Sequence, residues 1–574
     1  MAVFRSDQAQ FTFAVEAAPG GDPEMMEGTA GTGSTTLAAA YEAGSRAITV
    51  ASASNFTVGD QIRIGTVAGT AADTVAAHEV RRIEFIDSVT FVLDRPTGFY
   101  HASGQEVKEV TAIGGAAARN DDDKYITWIP GVYESVDTPD PEMAIEPRRF
   151  MGTQSKRNFA MAYKGQQTFS GSLSGIVLLN GIPLRYPIGK VVTTPSSVTG
   201  TNTITAAAKK GDVFVVLANS TALAVGDYLN VDDGSTSVSE VRRLILNPAG
   251  TTWKLNCPLQ FNHDSGASVA ECGASATYTH VISESVSLDT VSWHVHMRDS
   301  GETVANDFDR RYVGGMIGSA GISAEEGGLV TMNWDSVNFL DMVHNQNNQT
   351  GSQLYSGASV AASMPRYALM QKIDVDDVGQ PGLNDGTGFP TTEPYYFSQG
   401  QIKLFGQEFA RVRSFSLSIS NGEEPRYYIS RSGMGRHRGP SEIFEGPREY
   451  TMSCTVTLPD TAGATSSDQA TAMEIFKQLL LEGDFGGTSA AQAMAGFTMM
   501  LRFDRGTNDS IIIDIPSSTT AGSPTAASHA LNSQGAFIRT APHGISTDNP
   551  FQVDMDILFR ALKITVNDSV PVYP

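Results

Sequence analysis

The sequence is poor in cysteine and contains no long apolar run. Its 574 residues include three cysteines, Cys257, Cys272 and Cys454, which are too few and too scattered for a disulfide framework. The N-terminus lacks the apolar segment of a secretory signal, and no stretch of ~18 apolar residues could span a membrane. These absences predict a soluble protein made in a reducing cytoplasm.

Positive charge is also scarce. Lys and Arg total 40 against 62 Asp and Glu, which gives a formal net charge of −22, and charged residues make up only 18% of the chain. Because duplex binding depends on cations that neutralise phosphates, this balance argues against a protein that grips DNA, although the chain could still surround DNA. Glycine (56 residues), serine, threonine and alanine replace the missing charge, as is typical of strands joined by many turns.

A unit of about 65 residues occurs twice. Val58-Gly59-Asp60 and Glu79-Val80-Arg81-Arg82 recur as Val225-Gly226-Asp227 and Glu240-Val241-Arg242-Arg243. The residues that follow keep an identical spacing: Pro96, Phe99, His101 and Gly104 in the first copy, and Pro258, Phe261, His263 and Gly266 in the second. Alternating apolar and polar residues within each copy predict strands. We therefore predict two small β-barrel-like modules, at 45–110 and 207–271, inserted into a host fold.

Outside these modules, the two halves of the chain show the same order of elements. In the second half, strand 413–420, Glu424-Pro425-Arg426, strand 449–458 and a helix at 467–482 precede further strands. In the first half, 126–137, Glu146-Pro147-Arg148, strand 167–177 and a short helical segment near 178–188 follow in the same order. The order predicts two tandem folds of β-sandwich or barrel type, each with a flanking helix.

The predicted domains follow from these repeats. They are an N-terminal arm at 1–44, module 1 at 45–110, fold 1 at 111–206 and 272–344, module 2 at 207–271, a Gly/Asn/Gln-rich linker or crossing loop at 345–395, and fold 2 at 396–574. The helix at 467–482 is predicted from one apolar stripe, with Ser467 or Asp468 as its N-cap.

Several predicted strands alternate small hydroxyl residues with apolar ones. Side chains alternate across a sheet, so one face is predicted to be buried and the other covered by neutral hydroxyl groups. An ordinary solvent-facing sheet is the simpler interpretation of a single such strand, but exposed sheets usually carry Lys, Glu and Arg. The hydroxyl residues are Thr168, Ser170, Ser172, Ser174, Ser414, Ser416, Ser418, Ser420, Thr451, Ser453 and Thr455.

The segments around these strands resemble the tail tube proteins of tailed bacteriophages, the major tail protein family. The resemblance lies in Phe405-Gly406 with Arg411–Asn421, in Glu424–Ile429 and in Glu445–Thr451. It continues upstream in Trp128–Val132, Ser170–Ser174 and Asn180–Gly189, and covers most of the chain outside the modules and the linker. It rests on the order of diffuse motifs.

The resemblance implies a structural virion protein, assembled in the host cytoplasm, whose rings stack into a tube through which the genome passes. A long hairpin from each fold, at 413–458 and about 126–177, would join a barrel around the lumen, and the hydroxyl residues would line it. Two folds per chain favour a trimeric ring with pseudo-sixfold symmetry, although a hexamer stays open. Other tail proteins are the expected partners: the terminator, the baseplate or tip, the tape measure and, in a contractile tail, a sheath.

The loop between the second hairpin's strands is basic, with Arg426, Arg431, Arg436, Arg438 and Arg448. In so acidic a chain, we predict that these arginines contact the adjacent ring. A solvated loop and a DNA contact are the alternatives.

No catalytic, cofactor or metal site is predicted. His294 and His296 share one strand face without further ligands at suitable spacing, and no nucleophile elbow or phosphate-binding loop occurs. The alternative functions are a virion-surface or secreted adhesin whose repeated β-modules bind carbohydrate, and a glycoside-processing enzyme, for which no carboxylate pair stands out.

Overall fold

The computed structural model describes the chain in segments. These are residues 9–21, 28–65, 77–113, 129–130, 132–139, 142–148, 161–219, 222–232, 238–297, 308–344, 392–404, 411–428, 439–457, 461–467, 469–470, 473–474, 477, 498–515, 536–541, 543–544 and 552–574. All structural statements concern these residues.

The described elements are almost all strands. In the first half of the chain they are β1 (Ala9–Val15), β2 (Gly28–Thr36), β3 (Ala47–Thr49), β4 (Gln61–Ile64), β5 (Glu79–Asp87), β6 (Thr90–Leu93), β7 (Glu106–Ile113), β8 (Ile129–Pro130), β9 (Ser135–Asp137), β10 (Glu142–Arg148), β11 (Met161–Thr168), β12 (Ser170–Val177), α1 (Ile182–Arg185), β13 (Gly189–Pro195), β14 (Val198–Thr203), β15 (Phe214–Val216), β16 (Tyr228–Asp232), β17 (Glu240–Ala249), β18 (Thr252–Leu255), β19 (Ser268–Cys272), β20 (Tyr278–Glu284), β21 (Val291–Met297), β22 (Phe308–Glu325), β23 (Thr331–Asn338) and β24 (Asp341–His344). In the second half they are β25 (Gly400–Leu404), β26 (Arg411–Ser420), β27 (Glu424–Arg426), β28 (Glu442–Phe444), β29 (Glu449–Thr457), β30 (Met499–Gly506), β31 (Asp509–Ile515), β32 (Ala536–Thr540), β33 (His543–Gly544), β34 (Gln552–Phe559) and β35 (Lys563–Asp568), with single 3-10 turns at Phe397–Gln399 and Thr461–Gly463. The prediction of a mainly β protein is confirmed.

Two stacked sheets form the body of the molecule. The large sheet has 13 strands and contains the continuous antiparallel run β9-β12-β23-β22-β26-β29-β34-β32. The second sheet has six strands in the order β13-β20-β35-β31-β30-β25. One core lies between the sheets, where side chains such as Leu417 and Met452 meet Ile513 and Ile564, all with 0–1% of their surface exposed. Burying each such side chain contributes about 1.5–3 kcal/mol to folding.

The two halves of the chain occupy these sheets in the same order. In the large sheet, β9-β12-β23-β22 of the first half is followed by β26-β29-β34-β32 of the second half, and the β22·β26 pair joins them. In the second sheet, the antiparallel pairs β13·β20 and β30·β31 lie on either side of β35. Each first strand leads into a short two-stranded ribbon, β10–β11 or β27–β28, that contains Glu-Pro-Arg. This common order supports the duplication, which stays a prediction.

The two repeated units form six-stranded sheets with identical strand order, β2-β7-β4-β5-β6-β3 and β14-β19-β16-β17-β18-β15. Bridges from Leu37 to Val50 and from Ile204 to Leu217 bring the first and last strands of each sheet together, so both curl towards a barrel. Both sheets start earlier than the predicted module boundaries of 45 and 207, because the small residues of β2 and β14 pair along β7 and β19.

The segment predicted to be an arm at 1–44 instead contributes two strands. Besides β2, it contains β1, which pairs with β21 along its whole length in the large sheet. Phe11, Phe13 and Val15 of β1 are buried in the core, and Phe13 packs edge-on against Trp334. The alternating aromatic residues of β1 therefore specify a strand, although the glycines and prolines that follow it predict an extended arm.

The end of the predicted linker also packs into the core. Tyr395 is fully buried and its backbone bonds Leu178 and Val330, whereas residues 345–391 lie outside the described residues. In the predicted helix, the described residues Ser467, Gln469, Ala470, Met473, Glu474 and Lys477 are helical. Its N-terminal cap is Ser466, one residue before the predicted position, because Ser466 Oγ accepts the Gln469 N–H at 3.1 Å.

Candidate functional site

The solvent face of the large sheet carries the predicted hydroxyl residues. Along β26 and β29, the hydroxyl positions are exposed or half-buried, while Phe415, Leu417, Ile419, Met452, Cys454 and Val456 between them are buried. Ser416 lies opposite Ser323 of β22 on one side and Ser453 of β29 on the other. The hydroxyl groups therefore form rows across neighbouring strands.

The first-half hydroxyls belong to the same sheet. Ser170, Ser172 and Ser174 lie on β12 and are exposed or half-buried, and Ser174 shares a 2.6 Å hydrogen bond with Ser135 of β9. Thr168 is exposed at the end of the ribbon strand β11. All eleven predicted hydroxyl residues thus lie along one sheet and its adjoining ribbon, although they come from both halves of the chain.

Sequence reasoning did not include the hydroxyl groups of the two strands that lie between these two groups. β22 and β23 add Ser319, Ser323 and Thr331 to the same face. In β22, glycines interrupt the alternation of apolar and polar residues and so predict turns instead of a strand. A side chain at Gly315 would lie 2.4 Å from Phe339 and 2.7 Å from the Val291 carbonyl oxygen, so close packing requires glycine in this strand.

Carboxylates are interspersed with the hydroxyls. Asp554 and Asp556 of β34 lie opposite Thr455 and Ser453, and the Thr455 hydroxyl donates to Asp554 Oδ1 at 2.8 Å. The alternation Asp-Met-Asp could have revealed both from the sequence. At the margins, Arg539 Nε lies 2.8 Å from Asp556 Oδ2, and Arg413 Nε lies 3.2 Å from Glu326 Oε2. These two arginines are therefore already neutralised.

A cleft of about 570 Å³ opens on this face, at the end of the strands away from the ribbon β27–β28. Hydroxyls of β22, β26 and β29 line its floor, with three carboxylates, Glu134, Glu325 and Asp554, around them. All three carboxylates are exposed. The charged side chains of the cleft are therefore all acidic, and no lysine or arginine is among its lining residues.

Only two of the five predicted loop arginines lie within the described residues. Arg426 on β27 is exposed, lies 2.8 Å from Glu424 and stacks over Phe444 at 5.6 Å. Arg448 is half-buried and donates to the Ile188 carbonyl oxygen at 3.2 Å, so this side chain is bound within the subunit. Arg431, Arg436 and Arg438 lie outside the described residues.

The base of this ribbon contains a buried acid. Burial raises the pKa of Glu423 to about 8 and the nearby Glu445 raises it further, while a 3.3 Å hydrogen bond from Asn338 opposes the shift. Glu445 in turn accepts the Leu288 backbone N–H at 3.0 Å. These contacts tie the ribbon's base to β23 and to the segment between β20 and β21.

The repeated histidines have packing roles. His101 Nε2 lies 2.6 Å from Glu79 Oε1, and His263 Nε2 lies 2.8 Å from Glu240 Oε1, with all four side chains buried. His294 is buried in β21. Across the described segments, no group of three His, Cys, Asp or Glu residues could hold a metal ion, and no helix is long and apolar enough to cross a membrane.

Comparison with known proteins identifies the family. Residues 146–535, more than half of the chain, match the family model described as "Phage tail tube protein". The matched range begins in the ribbon strand β10 and includes β12, β22, β26 and β29, which carry most of the hydroxyl face. No curated protein matches the chain. The chain belongs to the phage tail tube protein family, and is therefore a structural protein of the phage tail.

Proposed function

We propose that this protein polymerises as stacked rings into the tail tube and that the hydroxyl face of the large sheet lines the conduit through which the genome passes. The observation that carries the proposal is that face itself. It joins strands of both halves, bears rows of small hydroxyls and exposed carboxylates, and its two marginal arginines are paired. Cations hold nucleic acid by neutralising phosphates, so a wall of this kind would let DNA slide past without holding it.

Strand order supports a trimeric ring. Within the chain, β22 ends the first half's group of strands and pairs antiparallel with β26, which begins the second half's group. By the same geometry, β32 would pair with β9 of the next subunit, and the directions of all strands alternate consistently. Three chains would then close a barrel with pseudo-sixfold symmetry and leave no open edge. A hexamer of chains would need a wider ring.

Module 2 packs against β13, the edge strand of the second sheet, where the Thr193 N–H donates to the Ser239 carbonyl oxygen. Phe99 of module 1 and Val213 of module 2 share a small core with Tyr278 of the second sheet. If the hydroxyl face points to the lumen, the modules decorate the outside of the tube. In this proposal the modules have a surface role and lie away from the DNA path.

Arginines of the second ribbon are proposed to contact the adjacent ring. Arg426, Arg431, Arg436 and Arg438 stay in this proposal, whereas Arg448 is removed from it because it bonds within the subunit. Charge complementarity at such a contact would direct register more than it adds affinity. We propose a structural role without catalysis, assembly in the host cytoplasm, and contacts with the terminator, the baseplate or tip, and the tape measure.

Cysteine labelling tests the position of the hydroxyl face. The three native thiols are buried and burial raises their pKa values, so background labelling should be low. Ser416→Cys should react with a bulky polymer-linked maleimide in free subunits but at least about tenfold more slowly in tubes, where only a small maleimide reaches it. Thr199→Cys, on exposed β14 of module 2, is the matched control and should react equally in both states. Equal protection of both sites, or no tubes by negative-stain microscopy, would refute the proposal.

A further inference from the structure

The ribbon β27–β28 joins the large sheet through two glycines. Gly422 lies before β27 and has a φ of 58°, a left-handed conformation that favours glycine, and Gly446 follows β28. A side chain at Gly446 would overlap the Gly422 carbonyl oxygen, so the two connections cross here with no side chain between them. Asn421 fixes the sheet side of the crossing, because its buried amide donates to the carbonyl oxygens of Pro187 and Ile317 at 3.0 and 2.8 Å. The glycine pair therefore has the form of a hinge.

Two carboxyl groups hold the ribbon side of this hinge to the body of the molecule. Glu423 accepts a hydrogen bond from the Asn338 side chain of β23 at 3.3 Å, and Glu445 accepts the Leu288 backbone N–H at 3.0 Å. The Tyr427 hydroxyl adds a 3.4 Å hydrogen bond to a backbone carbonyl oxygen of β11. Each carboxyl belongs to the residue next to a hinge glycine, so the state of these two groups bears directly on the position of the ribbon.

The surroundings of Glu423 favour its neutral form. Its Oε1 atom is buried and has no hydrogen-bond partner among the described residues. β22 and β23 face the carboxyl with Gly318 and Asn338, neither of which titrates. The charged groups on the adjoining segment are Glu445, whose negative charge disfavours a second one, and Arg448, which lies 3.7 Å from Glu445. Burial and the charge of Glu445 raise the pKa of Glu423 to about 8, against the opposing effect of the Asn338 hydrogen bond.

We propose that the ribbon β27–β28 is a hinged element, that a proton on Glu423 holds it against the sheet, and that loss of this proton releases it. In a released ribbon, water would reach the Glu423 carboxyl and its pKa would return towards the ordinary 4.5. The docked ribbon binds the proton more tightly than the released one, so docking weakens as pH rises through the docked pKa of about 8 and changes no further above it. The device operates within one subunit, so the inference does not depend on the proposed tube.

Hydrogen exchange of the Leu288 amide tests the inference, because this N–H bonds Glu445 only while the ribbon is docked. It would be measured in full-length, unassembled subunits, and each rate would be corrected for the intrinsic effect of pH on exchange. Between about pH 7 and 9, linkage to a docked pKa of about 8 predicts that the protection of Leu288 falls about tenfold. The Ile204 amide, which donates to the Ala267 carbonyl oxygen within module 2, is the internal reference and should keep its protection.

Three single variants complete the test. Glu423→Gln cannot ionise, so its Leu288 protection should stay constant over this pH range. The matched control Glu424→Gln removes one charge from the exposed neighbour that pairs with Arg426, and it should keep the full fall. Glu445→Gln can still accept the Leu288 N–H, and its fall should begin at lower pH because the charge of Glu445 contributes to the raised pKa. Constant protection in the wild type would overturn the inference, and so would a fall that persists in Glu423→Gln.

Discussion

Buried carboxyls are the residue-scale feature that most constrains this fold. Glu16, at the end of β1, is fully buried and accepts hydrogen bonds from Ser292 Oγ at 2.5 Å, Thr290 Oγ1 at 2.7 Å, and the backbone N–H groups of Gly314 at 2.8 Å and Gly20 at 2.9 Å. One carboxyl thus ties β1 to β21 and β22. Burial nevertheless outweighs these donors and raises the pKa of Glu16 to about 7.

The raised pKa predicts a stability that falls as pH rises. Between about pH 4.5 and 7 the folded chain keeps the Glu16 proton while the unfolded chain releases it, so rising pH favours unfolding until the folded group has ionised near pH 7. The contribution lost is on the order of 3 kcal/mol. Glu16→Gln removes this titration, so the difference in unfolding free energy between wild type and variant should change across this window.

Denaturant unfolding of unassembled subunits at about pH 5, 6, 7 and 8 measures this difference. Parallel pH curves for the wild type and the variant would contradict the prediction. The variant also loses hydrogen-bond acceptors, which shifts its whole curve without changing the slope that is compared.

Such buried acids could not be predicted from the sequence, whereas the hydroxyl face could. The alternation of Ser414–Ser420 is local and specifies which side of β26 is buried. Glu16 instead finds Thr290 and Ser292 more than 270 positions away, a proximity that only the pairing of β1 with β21 creates. The cleft was missed for the same reason, because Glu134, Glu325 and Asp554 come from three separate strand ends.

At the scale of elements, the two modules repeat one buried polar cluster. Glu79 contacts His101 and Arg81 in module 1, and Glu240 contacts His263 and Arg242 in module 2. The arginines also donate to the carbonyl oxygens of the repeated prolines. Each cluster therefore holds the loop before the last strand of its module against β5 or β17.

We predict that these clusters stabilise each module separately. Removing one partner leaves a buried charge, so Arg242→Met should destabilise module 2 by about 3–5 kcal/mol, and Arg81→Met should do the same in module 1. Hydrogen exchange should rise in the strands of the altered module only. The half-buried neighbour Arg82 provides the control, and Arg82→Met should cost less than about 0.5 kcal/mol. Exchange that rises equally in both modules would contradict independent clusters.

The same clusters define an acid limit. Burial alone would raise the pKa values of Glu79 and Glu240, but the adjacent arginine and histidine overcome it, and both pKa values lie below the ordinary 4.5. Their stabilisation is therefore complete above about pH 4.5 and is lost as pH falls through the lower folded values.

Elements with strong alternation were predicted well and glycine-rich ones poorly. The predicted strands 413–420 and 449–458 correspond closely to β26 and β29. β2 (Gly28–Thr36) has almost no apolar residues, and β22 contains four glycines, so neither shows the period of a strand. Both owe their conformation to the strands they pair with, which are β7 for β2 and β23 and β26 for β22, and no local pattern reports this pairing.

At the scale of the whole molecule, the side-by-side arrangement of the two halves in the large sheet predicts the ring's composition. If the β22·β26 junction is the template for contacts between chains, an isolated ring contains three chains and shows threefold symmetry, with near-sixfold symmetry only at the lumen. Native mass spectrometry of rings that precede stacking should give three times the chain mass. A mass of six chains would refute the template and leave the tube itself intact.

The β22·β26 junction also has a kinetic consequence. In a three-chain ring, half of the junctions between groups of strands would form as each subunit folds, because the two groups belong to one chain. The effective concentration of one group near the other is set by the chain that connects them and not by the concentration of subunits in the cell. Ring closure would then require the meeting of three molecules instead of six. A virus that must complete its tails from a dilute, newly made pool of subunits would reach that threshold earlier in infection.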